Sequence, residues 1–139
     1  MSTRLAIVAA DFNKAIVEPM IETATAEIAA AGAALARLVR VAGAYELPLV
    51  VDALLARADI DAVVALGHIE RGQTLHGEVM GHVVHAALVD LQLHHQKPAG
   101  LGIIGPGATE EQAEARKIGS ARAAVAAVLR SLEALAGLR

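Results

Sequence analysis

In the segment GHIERGQTLHG (67–77), His76 follows Thr74 by two positions. That spacing sets a proton-transfer group beside a place where an anion can rest. An imidazole titrates near neutral pH and can exchange protons with a bound substrate. The stretch RGQT offers backbone N–H groups, the Gln73 amide and the Thr74 hydroxyl at the start of a segment with helical periodicity. Such a helix N-terminus is an anion or phosphate cradle, and it favours a neutral imidazole nearby. The bland alternative is ordinary helix initiation with a solvated histidine. The Gly-Lys pair of a nucleotide-binding P-loop is missing.

Only two residues are aromatic, Phe12 and Tyr45, and both fall in expected loops. They are either a flat π-surface for a heterocycle or a pair of loop plugs, with the two readings about even. Glu46 can accept hydrogen bonds from ligand hydroxyls or N–H groups, or it can be an acid at a helix start. Glu78, His82 and His85 share a helical face at metal-type spacing. Such a trio is more often a solvated or intersubunit face, so no metal is expected. His94 and His95 suit a helix C-terminus, and Arg116 in EARK has no role legible from its surroundings. Asp11 stands without the acidic cluster a Mg²⁺-binding receiver domain needs.

The elements that must position these groups are marked by four short apolar runs: 4–10, 35–42, 61–67 and 99–105. Each is rich in β-branched or small residues and ends at glycine or a polar turn, the pattern of buried strands. Helical periodicity spans about 15–31, with Ile16, Met20, Ile21 and Ile28 on one face. A short helix begins near Pro48, a suitable first-turn residue. A third helix spans 77–95, with Val79, Val83, Ala87 and Leu91 beside Met80, Val84 and Leu88. The last runs from 109 to 137, with Thr109 and Gln112 as a capping box. Its apolar stripe is Ala121, Val125, Val128, Leu132 and Leu135. Strand–helix alternation predicts a four-stranded, doubly wound, flavodoxin-like α/β domain spanning 1–139. Ligands of such sheets bind beyond the carboxyl ends of the strands. There lie DFN (11–13), GAYE (43–46), HIERGQTLH (68–76) and GPG (105–107).

Composition bounds the partners. Apolar residues make up 55% and charged residues 19%, against an average charged share of about 25%. Mean hydropathy is +0.51. This excess predicts apolar faces buried between subunits. A net charge of −3 argues against nucleic acid or an anionic membrane as a partner held by bulk charge. There is no cysteine, which excludes disulfide and thiol chemistry. No run is long and apolar enough to span a bilayer, and the first residues lack a signal-peptide core. The expected location is therefore the cytoplasm.

Four stretches together resemble the lumazine synthase family. VAADFN is similar to its strand followed by an aromatic-Asn pair, and VAGAYELPL to its V-P-G-x-x-E-I-P segment. LGHIERGQTLH resembles its G-x-x-x-x-G-x-T-x-H core. KPAGLGIIGPGATEEQAEAR is similar to the Gly-Pro-Gly version in shorter archaeal-type members. The resemblance covers nearly the whole chain.

It implies condensation of 5-amino-6-(D-ribitylamino)uracil with 3,4-dihydroxy-2-butanone 4-phosphate to 6,7-dimethyl-8-ribityllumazine, a step of riboflavin biosynthesis. Phosphate and water leave, and no cofactor or metal takes part. By the resemblance, Phe12 stacks on the pyrimidine, and Ala44, Tyr45 and Glu46 hold the ribityl chain. His68, Ile69 and Glu70 line the ring edge. Gln73 and Thr74 bind the phosphate, and His76 transfers protons. Leu101 and Arg116 come from a neighbouring subunit, with Arg116 on the phosphate. The resemblance implies a homopentamer and leaves a sixty-subunit shell open.

The chain departs from the family pattern at several positions. Ala42 stands for a common proline, Gly77 for a common Phe or Asp, and Leu101 for an aromatic of many members. Glu70 stands for an apolar residue, and KIGSAR replaces a lysine-bearing segment of bacterial members. Two alternatives stand beside the enzyme reading. One is a divergent paralogue that binds another heterocycle. The other is a non-catalytic assembly protein.

Overall fold

The computed structural model describes residues 2–139. Strands β1 (Arg4–Ala10), β2 (Ala34–Val41), β3 (Ala62–His68) and β4 (Ala99–Ile104) alternate with helices. The helices are α1 (Lys14–Ala30), α2 (Leu47–Leu55), α3 (His76–His95) and α4 (Glu110–Leu138), and a 3-10 turn at Ala44–Glu46 precedes α2. The sheet is parallel throughout, in the order β2-β1-β3-β4. This is the doubly wound flavodoxin-like arrangement expected from the alternation. Element ends lie within one residue of the sequence expectation at most boundaries.

The side-chain period of two splits the central strands between two cores. Leu5, Ile7 and Ala9 of β1 join Ala62, Val64 and Leu66 of β3 under α1 and α4. Ala6, Val8 and Ala10 join Val63 and Ala65 under α2 and α3. Strands buried on both faces can be apolar without alternation, which is why these runs read as continuous. The chain leaves β1 towards β2 on one side, and β3 enters on the other. The crevice above the carboxyl ends of β1 and β3 is therefore the topological switch point, where such sheets bind ligands.

The helices are fixed by local signals. In α4 the Gln112 N–H donates to Thr109 Oγ1 at 3.1 Å, and the Thr109 N–H donates to Gln112 Oε1 at 3.0 Å. That is the capping box read from the sequence, worth about 1 kcal/mol. In α1, Ile16, Val17, Met20, Ile21, Ala24 and Ile28 are buried in the core shared with the sheet and α4.

Two expectations need correction. β2 is not a buried strand: most of its residues are exposed, because it is a sheet edge paired only with β1. In α3 the core face is Val84 and Leu88, with Met80 and Leu91 packed against that core. Val79 and Val83 are 51% and 52% exposed. Both stripes are apolar, so periodicity shows them equally. The choice is made by Gly81, where an added Cβ would lie 2.4 Å from the Pro106 ring. Only that small face can close against the loop after β4.

Candidate active site

A cleft of about 410 Å³ opens at the switch point. The chain after β1 contributes Phe12, and the segment between β2 and α2 contributes Gly43, Ala44 and Glu46. His68, Ile69 and Glu70 follow from the end of β3, then Gly72 and Thr74. The first turns of α3 close the far wall with His76, Gly77 and Met80. A larger cavity of about 660 Å³ lies at the opposite end of the sheet, beside Arg4, Asp61 and Lys97. Its cations are already committed. Lys97 Nζ donates to the carbonyls of Leu55, Arg57 and Ile60 at 2.8–2.9 Å, and Arg4 is paired with Asp61. Size alone therefore does not mark the site. Polar groups without other duties converge in the smaller cleft.

Both aromatic residues stand partly in water, Phe12 at 46% and Tyr45 at 42% exposure. Neither plugs the core. The Phe12 ring lies nearly parallel to the His68 imidazole, with centroids 6.2 Å apart and planes 23° from parallel. Tyr45 meets His76 edge-on at 6.1 Å. Phe12 thus offers the cleft a flat apolar face, and Tyr45 flanks the imidazole.

The cradle is built at the start of α3. The His76 N–H donates to Thr74 Oγ1 at 3.3 Å. His76 is the first helical residue, so the following N–H groups lie in the N-terminal turn, where partial positive charge favours an anion. Gln73 and Thr74 are exposed in the loop before it. Two close approaches hold this loop. A Cβ at Gly77 would lie 2.7 Å from the Glu70 carbonyl oxygen. At Gly105, whose φ is +92°, it would lie 2.3 Å from the Ile69 carbonyl oxygen. The backbone of residues 69–70 is clasped between α3 and the loop after β4, and only glycine permits both contacts.

His68 is the one buried polar side chain among the described residues, 4% exposed. Asn13 Nδ2 donates to its Nδ1 at 2.9 Å. Its Nε2 has no protein partner. A buried polar atom left this way costs about 1–3 kcal/mol. Burial holds the imidazole pKa below the usual histidine value, against the raising influence of Glu70 and Glu110. Asn13 is in the left-handed region, φ 60° and ψ 70°, which asparagine tolerates better than most residues. In the sequence Asn13 stands out only as part of DFN and of the aromatic-Asn pair, with no role of its own. No spacing rule connects it to a residue 55 positions away.

The structure gathers Phe12, Ala44, Glu46, His68, Ile69, Glu70, Thr74 and His76 around one cleft. Tyr45 and Gln73 neighbour these residues in the chain without lining the cleft, and Leu101 and Arg116 lie elsewhere on the same chain. Leu101 is half-buried in β4, paired with Ala65 and packed on the core under α2 and α3. Arg116 is exposed on α4, where its guanidinium donates to the Gln112 carbonyl at 3.4 Å. Glu78 and His82 are 3.9 Å apart on the exposed side of α3. No group of three or more His, Asp or Glu side chains among the described residues is arranged to hold a metal.

Residues 2–136 match the family model of 6,7-dimethyl-8-ribityllumazine synthase. A 6,7-dimethyl-8-ribityllumazine synthase of Metallosphaera sedula is 44% identical over 115 residues, 83% of this chain and 76% of that protein. The protein of the same name from Staphylothermus marinus is 41% identical, over 93% of this chain and 86% of its own length. That of Pyrobaculum arsenaticum is 36% identical, over 91% and 85%. With a family match across nearly all its residues and relatives this similar, the chain belongs to the 6,7-dimethyl-8-ribityllumazine synthase family.

Proposed function

We propose that the chain, acting as a single domain over residues 1–139, condenses 5-amino-6-(D-ribitylamino)uracil with 3,4-dihydroxy-2-butanone 4-phosphate. The product is 6,7-dimethyl-8-ribityllumazine, and phosphate and water leave. One observation carries the reading. Thr74 and His76, at the N-terminus of α3, share a cleft with an exposed aromatic and a carboxylate. An anion cradle, a proton-transfer group, a stacking surface and a hydroxyl acceptor are the roles this reading gives them.

The roles follow from chemistry. Phe12 stacks on the pyrimidine. Ala44, Tyr45 and Glu46 hold the polyol, with the Glu46 carboxylate accepting from its hydroxyls. His68, Ile69 and Glu70 line the ring edge. Gln73, Thr74 and the N–H groups of α3 receive the phosphate. The ring amine attacks the ketone carbonyl, a C–N bond forms, and water departs. Expulsion of phosphate needs a proton removed from the adjacent carbon, and His76 is the group proposed to move it. The enol left behind becomes a second ketone, the ribityl-bearing nitrogen attacks it, and a second water leaves as the ring closes. Every bond change is carbonyl, amine or phosphate-ester chemistry, so no redox cofactor is required.

The site is completed by a second copy. Arg116 and Leu101 lie away from the cleft of their own chain, and we assign them to the neighbour's site in a homopentamer. The exposed apolar residues Leu49, Val79, Val83 and Leu93 supply the faces such an assembly would cover. No helix among the described residues is long and apolar enough to cross a membrane. We place the protein in the cytoplasm.

The test is to supply both substrates to the purified chain and follow lumazine fluorescence together with free phosphate. The two should appear in equal amounts. A folded, assembled protein that forms neither would overturn the reading.

A further inference from the structure

We propose that the His68 side chain reads the bound heterocycle, its Nε2–H donating to a ring carbonyl oxygen of the pyrimidine. The inference rests on the reaction proposed above and adds which atom of this chain recognises which part of the ring. His68 is the one polar side chain buried among the described residues, and it lines the cleft that holds Phe12 and His76. Its Nδ1 is occupied by Asn13 at 2.9 Å, while no protein group partners its Nε2. A fold that buries an imidazole and clamps only one of its nitrogens has oriented the other for something outside the chain.

The clamp also fixes the proton. Asn13 donates through Nδ2, so Nδ1 accepts and the hydrogen of the neutral ring sits on Nε2. Burial keeps the ring neutral. The free nitrogen is therefore a donor, and it reads an acceptor. Charge decides which acceptor. Glu70 and Glu110 both lie close enough to act on His68 electrostatically. Two carboxylates repel a phosphate or a carboxylate from this nitrogen and leave a neutral carbonyl oxygen as the partner. The phosphate belongs at Thr74, at the start of α3. The pyrimidine of the aminouracil carries ring carbonyls, the kind of acceptor this nitrogen reads, and Phe12 lines the same cleft as His68.

The experiment measures discrimination. Affinities for 5-amino-6-(D-ribitylamino)uracil, and for analogues in which each ring carbonyl is replaced by hydrogen in turn, are determined by calorimetry. The parent and the His68→Leu variant are compared. One hydrogen bond is worth roughly tenfold in affinity. The parent should lose about that factor with one of the two analogues. His68→Leu should bind the uracil and that analogue equally. A variant that keeps the parent's full preference overturns the proposal. Nitrogen NMR of the unmutated protein supplies a reading that does not depend on the variant folding. His68 should show the Nε2–H tautomer, with that proton moving downfield when the aminouracil binds. An Nδ1-protonated ring that ligand leaves unchanged overturns the proposal. If the parent makes no lumazine, the reaction reading fails and takes this inference with it. If the parent is active but discrimination is indifferent to His68, the inference alone fails.

Discussion

Gly77 joins the fold to the chemistry of this site through a close backbone approach, and replacing it with alanine tests that contact. The new Cβ would lie 2.7 Å from the Glu70 carbonyl oxygen and 3.4 Å from Ile69 Cγ2. Ordinary contact begins near 3.4 Å, so the start of α3 must retreat from the backbone at Glu70 by about 0.7 Å. Crowding of this kind costs about 1–3 kcal/mol, and alanine returns up to about 1 kcal/mol through helix propensity. The net loss is about 1 kcal/mol, or roughly 4 °C in Tm for a chain of this size. The effect on catalysis should be larger. The retreat carries Thr74 and His76 away from the ring edge, and a misplacement of about 1 Å can cost on the order of 10²-fold. We expect kcat/KM to fall between about tenfold and a hundredfold in the fluorescence assay, beside a lowered Tm by scanning calorimetry. Gly119→Ala is the matched control. It is the same change in the interior of α4, with nothing within 4 Å of the new methyl. It should raise stability by about 0.5–1 kcal/mol and leave turnover as it was. A Gly77→Ala protein with parental Tm and turnover would refute the argument that this close approach sets the site.

Three further outcomes are expected. His76→Ala should lower kcat by about 10²-fold or less, because general acid–base catalysis contributes roughly 10²–10⁴-fold and imine formation proceeds slowly unaided. Binding of the aminouracil should barely change, and an unaltered kcat would remove His76 from the mechanism. Phe12→Ala should weaken that binding by about 1–3 kcal/mol, taking base–aromatic stacking as the analogue. Equal affinities by calorimetry would make Phe12 a mere loop residue. Burial lowers the His68 pKa, so its contribution to stability is present above the ordinary histidine value of about 6.5. It is lost as pH falls through that value, because the unfolded chain takes up a proton that the folded one refuses. The parent Tm should therefore drop more steeply between about pH 7.5 and about pH 5.5 than that of His68→Leu, and equal slopes would contradict the assignment.

Much of the fold is legible in the chain because its local signals agree. β1 and β3 are short β-branched runs bounded by turns, and Thr109 and Gln112 form the capping box their spacing announces. The right-handed rule for parallel crossovers sets which face each helix covers, and the position of the cleft follows from the strand order β2-β1-β3-β4. Burial was harder to read. β2 has the composition of its neighbours, but it lies at the edge, and edge status is a property of the whole sheet. In α3, Val83 and Val84 are equally apolar, and Gly81 against Pro106 decides which of them turns inward. In the site, Phe12, Thr74 and His76 stand out by type and place. Asn13 does not, because its significance is a contact with His68 across 55 positions. Arg116 is illegible for a different reason. Its surroundings on its own chain are solvent and one carbonyl, so neither the sequence nor a single subunit can show what it would touch.

The central claim is that the cleft around Phe12 and His76 becomes an active site when a neighbour's Arg116 closes it. Mixing separately purified His76→Ala and Arg116→Ala proteins tests this, under conditions that allow subunits to exchange. Each protein alone has a defect in every site. In a mixed ring, some interfaces pair an intact His76 side with an intact Arg116 side. The account predicts that lumazine formation rises on mixing well above the sum of the two separate proteins, as mixed rings accumulate in native mass spectra. Mixed rings that form in quantity while activity stays at that sum would contradict it, because both residues would then serve one site within a single chain.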